Sequence, residues 1–186
     1  MPNPFLESAR LWYRAPEPED AKVIAGYLMD PRVRRNLAIG RFPFSEAGEA
    51  KWIEAQTKPP VAEGATDVTM VVGIKGEQTV LGGTGLHRIS WLHRHAEWGV
   101  YIGRPDQWGK GYGREMARTT LKYAFDVLNL NRVMLRVNAD NIGGIKSYEA
   151  AGFVREGVQR QAMYVEGKYL DTILMGVLRQ DWRDPQ

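Results

Sequence analysis

Trp108-Gly109-Lys110-Gly111-Tyr112-Gly113 runs directly into Arg114 and a stretch in which Ala117, Leu121, Ala124, Phe125 and Leu128 recur at helical spacing. Glycine at every second position lets the backbone turn sharply and bring its N–H groups against a ligand. A helix that starts immediately behind the turn adds unpaired donors and the positive end of its macrodipole. The spacing predicts an anion cradle, best suited to phosphates, at the head of a helix reaching about Leu128 with one buried face. Taken alone, the string fits equally well a tight strand-to-helix turn without a ligand. Two nucleotide readings fail on spacing. No Gly-Lys-Ser/Thr string of a Walker loop is present, and a dinucleotide fingerprint would need glycine or alanine where Arg114 or Met116 stands.

Around this stretch the periodicity predicts a mixed α/β chain. Arg10–Arg14 reads as a short edge strand, and Pro16, Pro18, Glu17, Glu19 and Asp20 announce a helix whose buried face is Ala21, Ile24, Tyr27 and Leu28. Asp30-Pro31 interrupts it, and a short helical piece follows through Arg35. Ser45 caps a further helix carrying Ala50, Ile53 and Thr57, closed by Pro59-Pro60. Val68, Met70, Val72 and Ile74 then alternate as a strand, Lys75-Gly76-Glu77 turns, and Val80–Ile89 returns, with Gly82, Gly83 and Gly85 marking a bulge or a close backbone approach. Glu97–Ile102 is a strand with Trp98, Val100 and Ile102 on one face and Glu97, Gly99 and Tyr101 on the other. Beyond the helix, Val133–Val137 is an apolar strand, so the pair is parallel with a right-handed crossover. Asn141 caps a helix ending at Gly152, and a hairpin pairs Phe153–Met163 with Tyr169–Leu178.

The 186 residues fit one domain, 1–186, with a substantial core. With 25 basic and 22 acidic residues the net charge is only +3, which argues against a nucleic-acid-binding surface. The absence of cysteine excludes disulfides, thiolate metal sites and an acyl-cysteine intermediate. Met1–Glu7 has no signal-peptide pattern and no apolar run reaches bilayer length, so a cytoplasmic location without membrane contact is expected.

The glycine string resembles the pyrophosphate loop of the GNAT superfamily of acyl-coenzyme A-dependent N-acyltransferases. That pattern is Gln/Arg-x-x-Gly-x-Gly/Ala, and its glycines fall on Gly111 and Gly113 and its leading position on Trp108. Asn141-Ile142-Gly143-Gly144-Ile145-Lys146-Ser147-Tyr148-Glu149-Ala150-Ala151-Gly152-Phe153 is similar to the second GNAT signature, with Gly144 where Ser or Ala is usual and Ala150 where Lys is usual. Trp108–Tyr112 and the tail Glu156-Gly157, Gly167 and Asp171 resemble the RimJ/RimL branch, the ribosomal-protein N-terminal acetyltransferases and their relatives. The resemblance spans Arg10 to Trp182. It implies a GNAT-type α/β (α+β) fold: a mixed, mostly antiparallel sheet with a central splayed parallel strand pair and helices on both faces.

By this resemblance the protein is an N-acetyltransferase moving acetyl from acetyl-CoA, as cosubstrate and without metal, to a primary amine by direct attack. The acceptor is a protein N-terminus, ribosomal or other, a polyamine or another small amine. The pantetheine arm would pair with backbone at Val100, Tyr101 and Ile102. The pyrophosphate would rest on Gly109, Lys110, Gly111, Tyr112, Gly113 and Arg114, beside Trp108, with Asn141 as a helix cap or a further coenzyme contact. A strand N–H near Tyr101 is the oxyanion donor. Tyr148 stands where many members keep a tyrosine near the coenzyme sulfur, and its phenol can supply the leaving group's proton; its ordinary alternative is a core helix tyrosine. Glu97 is the candidate base, directly or through water, or else a structural carboxylate paired with Arg94 or another cation. His87, His93 and His95 have no carboxylate at ligand spacing and read as solvated. Arg118 and Lys122 read as a solvated basic face. Arg32, Arg34, Arg35 and Arg41 hint at an acidic acceptor or a larger donor such as succinyl-CoA. An acyl-CoA sensor without catalysis is the competing reading, and a homodimer is expected by analogy.

Overall fold

The computed structural model describes residues 3–37, 40, 42–56 and 65–183. Arg41, Thr57 and Pro59-Pro60, and with them the reading of that helix's end, lie outside the described residues. Eight strands are hydrogen-bonded in the order β1-β2-β3-β4-β5-β6-β8-β7: β1 (Leu6–Glu7), β2 (Leu11–Arg14), β3 (Val68–Ile74), β4 (Val80–Ser90), β5 (His95–Ile102), β6 (Arg132–Asn138), β7 (Val154–Val165) and β8 (Lys168–Leu178). β5 and β6 form the parallel pair. Among the described residues five α-helices accompany them: α1 (Ala21–Met29), α2 (Pro31–Arg34), α3 (Glu46–Gln56), α4 (Tyr112–Lys122) and α5 (Ile142–Glu149). Two compact units emerge, residues 1–85 with 100–108, and residues 86–99 with 109–186.

In the first unit, α1 and α3 bury Ala21, Ile24, Leu28 and Ile53 with Trp12, Val71 and Val80, and Tyr101 packs against the same cluster. The α1 start is fixed by charge: Arg14 grips both oxygens of Asp20 at 2.7 and 2.8 Å, and Asp20 in turn accepts the Glu17 N–H at 2.8 Å. Ser45 caps α3 through the Gly48 N–H at 3.1 Å, as the sequence predicts. β2 is not an edge strand. The two-residue β1 covers it, because Leu11, Trp12 and Tyr13 are all buried and leave no solvent-facing side.

The close approach predicted for the β4 glycines is real. A Cβ on Gly82 would lie 2.1 Å from the Tyr101 carbonyl oxygen, and one on Gly83 would lie 2.7 Å from the Tyr101 ring. Gly82→Ala therefore forces β4 and β5 apart. We expect a loss of about 3 kcal/mol and a fall in Tm of roughly 10 °C by calorimetry.

In the second unit, α4 continues as a π-helical turn over Tyr123–Val127, with the Leu128 N–H reaching back to the Tyr123 carbonyl at 3.1 Å. The register slip lets Ala124 and Phe125 both stay buried after Leu121. The parallel ladder comprises His95↔Arg132, Ala96↔Val133 and Glu97↔Met134. β6 runs on to Asn138 paired with β8, while β5 continues past Glu97 without that register.

Candidate active site

The second unit holds the helix head. Gly109 and Gly111 sit at φ +75° and +83°, the left-handed region that an L side chain adopts only at a cost, and Gly111 is the N-cap of α4. The first α4 amide with an acceptor in the helix ladder is Glu115, bonded to the Gly111 carbonyl at 3.1 Å. A Cβ on Gly109 would meet nothing within 4 Å, so the turn is open. Lys110 and Arg114 are exposed. The turn thus places the positive end of the α4 dipole beside open space and two exposed cations.

Further along the basic stripe the solvated reading holds for the exposed Lys122 and needs correcting for Arg118. Arg118 reaches across to the Ala150 carbonyl at 3.1 Å and ties α4 to the C-terminal end of α5, while Lys122 pairs with Asp126 at 3.0 Å. Asn141 caps α5 by accepting the Gly144 N–H at 3.0 Å. A Cβ on Gly144 would fall 2.7 Å from Asn141 Nδ2, which explains a glycine where the family pattern carries Ser or Ala.

Tyr148 leaves α5 and meets Trp98 edge-on, ring centroids 5.3 Å apart at 85°, with Phe153 at 6.4 Å. Trp98 itself stacks on Phe153 at 5.7 Å. Among the described residues the Tyr148 hydroxyl has no hydrogen-bond partner. Desolvation by these rings pushes its pKa up to about 12, so the phenol keeps its proton at every physiological pH.

Glu97 is paired with cations, the second of the two readings the sequence left open, though not with Arg94. Its oxygens accept Arg88 Nη1 at 2.6 Å and Arg136 Nε at 2.8 Å. Arg94, expected as its partner, instead holds the Asn129 carbonyl and side chain, both at 2.7 Å. His93 and His95 stack with centroids 6.1 Å apart. Among the described residues no group of three or more His, Asp or Glu is placed to hold a metal.

In the first unit, the Trp108 indole donates to the Ile102 carbonyl at 3.0 Å, anchoring the loop to the end of β5. That bond engages the Ile102 carbonyl oxygen. The Tyr101 phenol packs against the α1–α3 core, and desolvation there raises its pKa. Sequence reasoning passed over Glu49 on α3, a buried carboxyl whose pKa burial raises. It also left Trp98, Arg88, Arg136 and Asn138 without a role. The one available signal was Arg136, a lone charge inside the apolar run Val133–Val137.

Comparison with known proteins places the chain in a family. Residues 10–154 match the acetyltransferase (GNAT) domain family. An uncharacterized N-acetyltransferase, p20, of Bacillus licheniformis is 29% identical over 177 residues, covering 95% of this chain and 97% of that protein. The spermidine N(1)-acetyltransferase of Escherichia coli K12 is 29% identical over 147 residues, 79% of this chain and 77% of that one. Among solved structures, spermidine N-acetyltransferase from Vibrio cholerae in complex with CoA and spermine superposes with a TM-score of 0.82 at 25% identity, covering 94% of this chain and 98% of that chain. No helix among the described residues is long and apolar enough to cross a membrane. The chain belongs to the GNAT acetyltransferase family and is an acetyl-CoA-dependent N-acetyltransferase.

Proposed function

We propose that the enzyme acetylates a primary amine by direct attack, within the RimJ/RimL-like group to which Trp108–Tyr112 and the Glu156–Asp171 tail are similar. The observation that carries the reading is the left-handed Gly111 cap at the head of α4. Amides from Gly109 to Arg114 would hold the coenzyme diphosphate, with Lys110 and Arg114 adding charge. Main chain at Val100 and Tyr101 would align the pantetheine, and the Tyr101 amide would meet the developing oxyanion. The coenzyme supplies the activated acyl thioester. Nitrogen–carbon bond formation, carbon–sulfur cleavage, loss of a proton from the amine and gain of one at sulfur complete the balance.

Tyr148 fits the last of these roles, holding a proton on an unpartnered hydroxyl. The first proton we assign to water. Glu97 would have to give up two guanidiniums before it could act. Glu97→Gln should therefore leave the acidic limb of the kcat/KM profile in place and lower activity less than about tenfold, the loss of a partly exposed ion-pair network. A vanished acidic limb would restore Glu97 as the base.

A thiol-release screen of acetyl- and succinyl-CoA against amines and peptides tests the function. N-acetylated product by mass spectrometry, with release dependent on the amine, supports it. Coenzyme binding by calorimetry with no release from any amine identifies a sensor instead.

A further inference from the structure

Tyr148 packs on the side of β5 that carries Trp98, so strand alternation turns Glu97 to the opposite face. On β6, Met134 is in register with Glu97, and Arg136 and Asn138 follow it on that face, opposite the buried Val133, Leu135 and Val137. The parallel ladder ends at Glu97↔Met134, so an amine attacking a thioester held on the Tyr148 side would approach from this second face.

The groups there are donors. Arg88 sits at φ +52°, which breaks the alternation of β4 and brings its guanidinium to Glu97. Arg136 uses Nε and Nη2 on the same carboxylate. Two cations on one anion leave a net +1, and among the described residues neither guanidinium has another partner. Two residues past Arg136, Asn138 is 6% exposed, and its Nδ2 has no acceptor among the described residues. A buried donor left unmet costs roughly 1–3 kcal/mol, and such a group calls for an explanation. Glu156 pairs with Arg132, and Asp171 accepts the Gln161 N–H at 2.9 Å.

We propose that Arg88, Arg136 and Asn138 select the acceptor, an amine that also carries a carboxylate, over a polyamine. A carboxylate would make charge-assisted bonds to Arg88 and Arg136, with the unmet Asn138 amide next along the same face of β6 as a further donor. A second ammonium would face the two guanidiniums there. This inference rests on the N-acetyltransferase reading above.

The test measures initial rates with acetyl-CoA for linear ω-amino carboxylates against diamines of matched length and spermidine, with Ala-Glu and Ala-Gln amides as peptide members. The expected result is a kcat/KM about tenfold higher for the carboxylate-bearing amines. Arg136→Gln should raise their KM with kcat little changed, Arg136→Lys should recover part of it, and Asn138→Asp should shift the ratio toward diamines. Equal or better turnover of diamines and spermidine, no turnover of any acceptor, or a ratio unmoved by both Arg136→Gln and Asn138→Asp overturns the proposal. Acetyl-CoA affinity is read separately by calorimetry. Intact affinity with a polyamine preference sinks the acceptor assignment alone, whereas absent affinity sinks the transferase reading itself.

Discussion

Tyr148→Phe should lower kcat about 100-fold while leaving the Kd for acetyl-CoA within about twofold. The size follows from the acidity of the phenol. General acid–base groups contribute roughly 10²–10⁴-fold when matched to their task. Here the surrounding Trp98 and Phe153 rings hold the hydroxyl's pKa up at about 12, whereas an ordinary thiol titrates near ~8.5. Full proton transfer to a free thiolate would be uphill, so the phenol acts as a hydrogen-bond donor to sulfur as the carbon–sulfur bond lengthens. That places the effect at the low end of the range.

The sign with pH is equally definite. A phenol whose pKa is raised stays protonated as pH climbs through the normal tyrosine value, so it adds no alkaline limb below about 12. Wild type and variant should give parallel kcat–pH profiles offset by a constant factor, read by stopped-time thiol release. Near-wild-type kcat in the phenylalanine variant would reduce Tyr148 to a packing residue. Loss of coenzyme affinity would mean that the ring shapes the pocket rather than the chemistry.

The parts of this architecture written in local pattern were legible from the residues. The glycine turn, the α4 stripe, the β5–α4–β6 crossover and both caps, Ser45 and Asn141, depend on neighbours a few positions apart, and the structure shows each of them. What escaped depends on partners far along the chain. The Glu97 carboxylate is held from β6 by Arg136, 39 positions away, and no spacing rule links them. The Arg88 contact needs a left-handed residue inside a strand, which sequence preference argues against. β2 was misread as an edge because a two-residue strand is too short to leave a periodic signal. The π-helical turn likewise hides within a continuous helical pattern.

Gly111→Val should weaken acetyl-CoA binding about 100-fold, and a second glycine supplies the control that separates strain from function. Gly111 and Gly76 hold nearly the same backbone, φ +83° and +86°. Gly76 closes the β3–β4 turn, where a Cβ would meet nothing within 4 Å. A β-branched residue in this region costs about 1–3 kcal/mol wherever it stands. Valine at either position should therefore lower Tm by a similar amount, roughly 2–4 °C per kcal/mol for a chain this long. Only at Gly111 does relief of that strain rotate the peptide planes that begin α4, and with them the amides facing the diphosphate. The Gly76 variant should bind acetyl-CoA normally in the calorimeter, and the Gly111 variant should not. Matched losses of affinity in the two would mean that instability alone explains the effect, and matched retention would remove the helix head from the coenzyme site.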